Sequence, residues 1–194
     1  MQRYKSRFTI VVLGVIAFLL IGTVVWASPQ ASPPSAKRAE MHLAVNPFEM
    51  ETTTEIADNA YLQFMHHWLG YTEIWSSGDP SPSYQGTVYV PVHNPVTLLG
   101  KPLKLESIEV CYQVTEGSYI ERTAVFFADR SGGRTQILDN WTSRTSTSWT
   151  CYTVTNDTPE LIEGPLLVYF LLLFDESSSS DRVTIGQITL TLTK

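Results

Sequence analysis

The residues best suited to gripping a ligand lie in one polar run, Asp139-Asn-Trp-Thr-Ser-Arg144. An indole face stacks on the C–H surface of a sugar, and Asp139, Asn140 and Arg144 are side-chain types that bind hydroxyls beside Trp141. The same run also suits a Trp folded back over a sheet edge, with its neighbours acting as turn residues. Other candidate chemistry is sparser. His66-His67 is the one histidine cluster, with His42 and His93 elsewhere. Adjacent side chains on a strand point to opposite faces, so a metal site there needs a ligand from another segment. Asp129 with Asp139, and Asp157 with Glu160, are loop carboxylates of the kind that hold a structural Ca²⁺. No spaced calcium loop surrounds them, so turn chemistry is the simpler reading and no cofactor is expected. There is no Gly-x-Ser-x-Gly elbow, His-Glu-x-x-His pair, phosphate loop or dinucleotide fingerprint. No catalytic residue is assigned, and a non-enzymatic role is expected.

Two cysteines, Cys111 and Cys151, each sit at the centre of a strand-like segment. In an exported protein that pattern predicts a disulfide. Cys111 shares its face with Glu109 and Gln113, so the bridge is expected on the outer face or between adjacent strands. Nothing basic flanks either thiol, which argues against a nucleophile.

Export is read from the N-terminus. Arg3, Lys5 and Arg7 precede an apolar run, Phe8–Trp26, and Val25-Trp26-Ala27 places small residues at the −3 and −1 positions of a cut before Ser28. Residues 1–27 are therefore a signal peptide, or an uncleaved signal anchor, since the run nearly spans a bilayer. Either way the remainder is extracytoplasmic, and any membrane attachment is through this segment alone. Residues 28–40, SPQASPPSAKRAE, form a Pro/Ser/Ala-rich linker. Losing residues 1–27 removes three of the 13 basic and none of the 19 acidic residues, leaving a formal charge of −9. An acidic domain without a Lys/Arg cluster is a poor partner for nucleic acid or anionic lipid.

Residues 41–194 must supply the scaffold. The densest apolar stretch is Leu166–Phe174, opened by Gly164-Pro165 and closed by Asp175-Glu176. Period-two reading puts Leu166, Val168, Phe170, Leu172 and Phe174 on one face and Leu167, Tyr169, Leu171 and Leu173 on the other. One face fills a core. The other also needs cover, from this chain or from a second subunit. Further strands are read at Met41–Phe48, Thr87–Val92, Ser107–Thr115, Tyr119–Ala128, Thr135–Leu138, Trp149–Val154 and Val183–Thr193. Pro91 marks an edge strand or a strand end. Gly186 marks a bulge, because the alternation slips from Val183/Ile185 to Ile188. In Tyr119–Ala128, Ile120, Arg122, Ala124 and Phe126 are expected to share a face. Thr52–Leu69 is ambiguous. Ile56, Ala60, Phe64 and Trp68 recur at helical spacing, but an irregular segment feeding a strand near Tyr71–Trp75 fits the surrounding β pattern better. About eight short strands with turn signals between them predict an all-β, antiparallel two-sheet sandwich, jelly-roll-like, behind an N-terminal signal or anchor helix.

Tyr-x-Pro-Val (89–92), Ile-Glu-Val-Cys-Tyr (108–112), Cys-Tyr-Thr-Val (151–154) and Ile-Gly-x-Ile-Thr-Leu (185–190) together resemble exported bacterial β-sandwich proteins. The resemblance runs from about Tyr84 to Thr193 and implies the fold and the export. It carries no functional residue. Two functional expectations result. One is a non-catalytic structural or protein-interaction module of the cell envelope, homo-oligomeric through the two-sided apolar strand, a trimer being one form. The other is a carbohydrate-binding module working through the Trp141 loop, with a cell-surface glycan as partner. A hydrolase of unknown type is a third and weaker reading.

Overall fold

A computed structural model describes residues 40–52, 62–77, 84–92, 97–98, 101–128, 133–175 and 180–194. The signal or anchor segment and the linker lie outside the described residues, as do Asp129 and His93.

Two antiparallel sheets face each other. In the first, β11 (Thr150–Thr155), β8 (Lys104–Val114), β13 (Val183–Thr193), β4 (Tyr71–Ser76) and β3 (Leu62–His67) lie side by side, and β1 (Glu40–Val45) also pairs with β13. The second runs β10 (Arg134–Asn140), β9 (Tyr119–Ala128), β12 (Leu166–Phe174), β5 (Tyr84–Val92) and β2 (Glu51–Thr52). A two-residue pair, β6 (Thr97–Leu98) and β7 (Lys101–Pro102), stands apart. From β8 to β13 the chain crosses between the sheets at every step except the β9–β10 hairpin, so most strands pair with neighbours distant in sequence.

β12 is a strand rather than a helix, and it lies inside its sheet with β9 on one side and β5 on the other. Leu166, Val168, Phe170, Leu172 and Phe174 are all fully buried. Ile108 and Val110 of β8 and Ile188 and Leu190 of β13 are equally buried in the facing sheet. Deleting side chains in such a core costs about 2–5 kcal/mol each. The second face of β12 is covered within the chain: Leu171 is buried, and Leu167, Tyr169 and Leu173 are half-buried. That removes the reason the sequence offered for a second subunit.

Several local expectations change. β1 ends at Val45, short of the Phe48 read from the sequence, because Asn46-Pro47 breaks it: Asn46 accepts from the Phe48 amide and Pro47–Glu49 forms a single 3₁₀ turn. The helical option fails over residues 62–69, where β3 and β4 form a hairpin whose turn, Trp68-Leu69-Gly70, relies on the positive φ of Gly70. Residues 53–61 lie outside the described set. β5 is an interior strand, not an edge. Pro91 is tolerated near its end because β2 pairs only with Val88 and Tyr89, so the missing N–H breaks no ladder bond on that side. The bulge at Gly186 is present, as the β13 register against β8 shifts between Ile185 and Ile188. A second bulge, unforeseen, interrupts β9: Leu171 pairs with Arg122, but Leu172 pairs with Ile120. Skipping Glu121 turns Ile120 inward with Thr123, Val125 and Phe127, and leaves Arg122, Ala124 and Phe126 on the outer face.

Cys111 and Cys151 are directly opposite one another on β8 and β11 and form a disulfide. It lies on the outer face and joins adjacent strands, meeting both placements allowed by the sequence. Such bridges persist in oxidising compartments. With a sequence separation of 40 residues, loop-closure entropy gives the bridge roughly 4 kcal/mol of stabilisation. Replacing both cysteines with serine is expected to lower the unfolding free energy by about that amount, read as a fall in the urea midpoint with a steeper slope, because the unfolded chain expands. An unchanged midpoint would refute it.

Candidate functional site

The outer face of the five-stranded sheet gathers side chains far apart in sequence. One ladder row crosses the whole sheet: Asp139 on β10, Ala124 on β9, Tyr169 on β12, Tyr89 on β5 and Glu51 on β2. Ala124, the smallest member, is fully buried between its larger neighbours. Arg122 and Phe126 flank it on β9, two residues to either side, because the Glu121 bulge puts them there.

Arg122 organises the row. Its Nε donates to Asp139 Oδ1 at 2.6 Å, and one terminal nitrogen donates to Gln136 Oε1 at 2.7 Å. Its guanidinium carbon lies 4.6 Å from the Trp141 ring centre and 5.5 Å from that of Tyr169, both within cation–π range. Trp141 Nε1 donates to the other Asp139 oxygen, Oδ2, at 3.1 Å. One carboxylate thus fixes both the cation and the indole, while Trp141 remains 59% exposed. Burial alone would raise the Asp139 carboxyl. The hydrogen bond and charge of Arg122, with the bonds from Trp141 and Gln136, outweigh burial and hold it below the ordinary aspartate range.

Beside this clamp the same face hollows into a groove of about 400 Å³ lined by Tyr89, Arg122, Phe126, Arg134, Leu167 and Tyr169. Phe126 meets Tyr169 edge to face at 5.9 Å between centres. Tyr89 donates to Glu51 at 2.8 Å, a bond that, ahead of burial, raises its phenol above the usual value. Burial does the same for Tyr169. Both phenols are protonated at neutral pH and present hydroxyl groups beside aromatic surface.

The four loop residues named from the sequence divide in two. Asp139, the last residue but one of β10, stands with Trp141 on this face. Asn140 and Arg144 are engaged in holding the loop: Asn140 Oδ1 accepts from the Thr142 amide at 3.3 Å and from Arg144 at 3.2 Å. The Arg144 backbone exchanges hydrogen bonds of 2.8 and 3.1 Å with Ile120. Its guanidinium lies 4.2 Å from the Tyr152 ring centre. Tyr152, its phenol pushed up by burial, shares a 2.6 Å hydrogen bond with Thr123 across the two sheets. Arg122, Tyr169, Tyr89, Phe126 and Arg134 were missed. The signal for Arg122 was present, because a guanidinium does not belong on an inward face with Ile120 unless a bulge separates them.

The other candidates lie apart. His66 and His67 point to opposite faces, His66 bonding Thr72 at 2.9 Å and His67 stacking on Tyr71 at 4.3 Å. Asp157 and Glu160 line a polar recess of about 290 Å³ with the Asp139 segment. Among the described residues no three His, Cys, Asp or Glu side chains group as a metal site.

The folded Asp139 carboxyl binds its proton more weakly than the same group in the unfolded chain. The clamp's contribution is therefore complete above the ordinary aspartate pKa of about 3.9 and is lost as pH falls through the lower folded value. Acid titration of Trp fluorescence should show a transition centred below that ordinary value. Asp139→Asn should abolish it; a transition unaltered in the variant would contradict the clamp.

No family model matches the chain, and no curated protein matches it in sequence. Solved structures share the sandwich at a distance. The CBM22-1 xylan-binding domain of Paenibacillus barcinonensis Xyn10C is 12% identical, with a TM-score of 0.45 over 82% of this chain and 99% of that one. The family 11 carbohydrate-binding module of the Clostridium thermocellum cellulase Lic26A-Cel5E is 9% identical, with a TM-score of 0.42 over 78% and 86%. A family 32 module from C. perfringens NanJ, solved with galactose, is 12% identical, with a TM-score of 0.39 over 78% and 99%. The likeness is to bacterial carbohydrate-binding β-sandwiches in overall architecture, and it assigns no ligand or site residue to this chain.

Proposed function

We propose that this domain is a non-catalytic, extracytoplasmic carbohydrate-binding module whose site is the outer face of the five-stranded sheet. One observation carries the reading: Asp139 holds the Arg122 guanidinium and the Trp141 indole together, presenting an exposed, oriented ring at the side of an aromatic groove. Trp141 and Tyr169 supply flat surface for the C–H faces of sugar rings. The Tyr89 oxygen, its proton engaged in the hydrogen bond to Glu51, accepts from a hydroxyl, and the guanidinium of Arg122 donates to one. Both carboxylates at the row's ends are already engaged, Asp139 with Arg122 and Glu51 with Tyr89. That suits orientation of a ligand better than proton transfer to one.

A purely structural, self-assembling module drew its support from a strand with two greasy faces. With the second face of β12 roofed by the chain's own side chains, that support is gone, and the same face is now the site.

Affinity electrophoresis and calorimetry against xylan, mixed-linkage β-glucan, galactan and polygalacturonate test the proposal. At least one should bind, and Trp141→Ala and Tyr169→Ala should each weaken it about tenfold, equivalent to about 1.4 kcal/mol. Arg122→Ala should do the same while also releasing Trp141. Binding indifferent to all three variants would overturn the assignment of this face.

A further inference from the structure

The opposite side of the sandwich carries a second aromatic row, built from different strands and unrelated to the Asp139 clamp. Its anchor is the β13 bulge. A Cβ at Gly186 would lie 2.5 and 2.6 Å from Cζ2 and Cη2 of Trp149, so only glycine lets this indole settle on the sheet. The rest of the ring is open, as Trp149 is 50% exposed. Tyr71 meets it edge-on at 6.2 Å between centres, and His67 stacks on Tyr71 at 4.3 Å. His67 Nε2 is 3.5 Å from Glu73 Oε2, and the same oxygen accepts from Arg182 at 2.8 Å. The Arg182 guanidinium lies 5.9 Å from the ring centre of Trp75. Contacts therefore run unbroken from Trp149 to Trp75. Tyr71, Glu73 and Trp75 alternate along the outer face of β4 and span about 13 Å at the usual rise of a strand.

Nothing in the folding of the domain demands this arrangement. The core is complete without Trp149, which precedes β11 in a polar loop. A surface made only to stay soluble would not place a half-exposed indole on a glycine cut to fit it. The row alternates ring, ion pair and ring, instead of forming the continuous apolar patch that a protein interface places at its centre. Rings suit C–H faces, and Glu73 with Arg182 suit hydroxyls as acceptor and donor. The carboxylate and the guanidinium also neutralise one another, which selects an uncharged ligand. We infer that the outer face of the six-stranded sheet, from Trp149 through Glu73 and Arg182 to Trp75, is a second site, for a neutral polysaccharide. The two sites lie on opposite faces of the sandwich, so one domain engages two glycan chains, or two segments of one, and gains avidity by linkage.

The test uses the full chain with neutral xylan, mixed-linkage β-glucan and galactan. Calorimetry with short oligosaccharides of the polymer that binds should give two sites per chain, and mixing with the polymer should produce turbidity from cross-linking. Trp149→Ala should reduce two sites to one and abolish turbidity. Glu73→Gln, which keeps shape and leaves Trp149 seated, should weaken the same site about tenfold. Trp141→Ala should weaken the other site alone, about tenfold, and the double variant should show both losses. One site in the wild type, unaffected by Trp149→Ala and Glu73→Gln, overturns this inference and leaves the five-stranded face standing. Binding lost in Trp149→Ala and untouched in Trp141→Ala does the reverse. A change in sedimentation without a change in glycan binding would make the row a contact between copies of this chain and overturn the inference. If none of the three polymers binds, the inference falls.

Discussion

Everything on the five-stranded sheet depends on β12 being apolar on both faces and hydrogen-bonded on both edges. Its inner residues, from Leu166 to Phe174, are buried to the last atom and hold the two sheets together. Its outer residues must then lie beneath something other than water. The chain meets that demand with amphipathic side chains from the neighbouring strands: Arg122 and Phe126 from β9 and Tyr89 from β5. Phe126 meets the Tyr169 ring edge to face, the Arg122 guanidinium lies against the same ring, and Tyr89 stands opposite it in the ladder. Covering a greasy strand this way yields a surface of rings edged with hydrogen-bonding groups, so the stability requirement and the proposed binding surface share one origin.

Bulges decide which residues take part. Period-two reading found both faces of β12 and the inward set of β8, because those strands run without interruption where the pattern was read. It also located the bulge in β13, where Gly186 and the slipped alternation announce it together. In β9 the extra residue is Glu121, and no glycine marks it; only the mismatch between Ile120 and Arg122 on one face hints at it. The count therefore grouped Ile120 with Arg122, Ala124 and Phe126, although the bulge puts Ile120 on the opposite face from the other three. A single skipped position separates the core residue Ile120 from the outer-face residues it was grouped with, as strand geometry requires.

The remaining gaps have the same physical character. β10 continues through Asp139 and Asn140 although both are poor strand formers, because each pairs with a β9 residue across the sheet. Ile137 sits at a break in that pairing, and its carbonyl accepts from Asn156 Nδ2 at 2.9 Å, while the same amide donates to the Leu105 carbonyl at 3.1 Å. These ties run between segments distant in sequence and leave no local trace. The disulfide was legible because compartment and strand position both bear on it. The role of Arg144 was not, since its partners Ile120 and Tyr152 are contributed by opposite sheets.

What distinguishes Trp141 from an ordinary exposed aromatic is the number of contacts that fix it. A loop indole free to rotate loses its rotamer freedom on binding, at a cost of about 0.5–1.5 kcal/mol. Here that freedom is already spent: the indole N–H is held by Asp139 and one ring face by Arg122, while Arg144, three residues on, is pinned to Ile120 and Tyr152. The same groups restrain one another. Removing Arg122 would leave Asp139 with one bond fewer and Trp141 without its cation, so losses at these three positions should not add. The ring's remaining surface stays in contact with solvent at a fixed orientation. A rigid aromatic surface whose ordering cost is met during folding is what the proposed site would need to hold a ligand as heavily hydrated as a sugar.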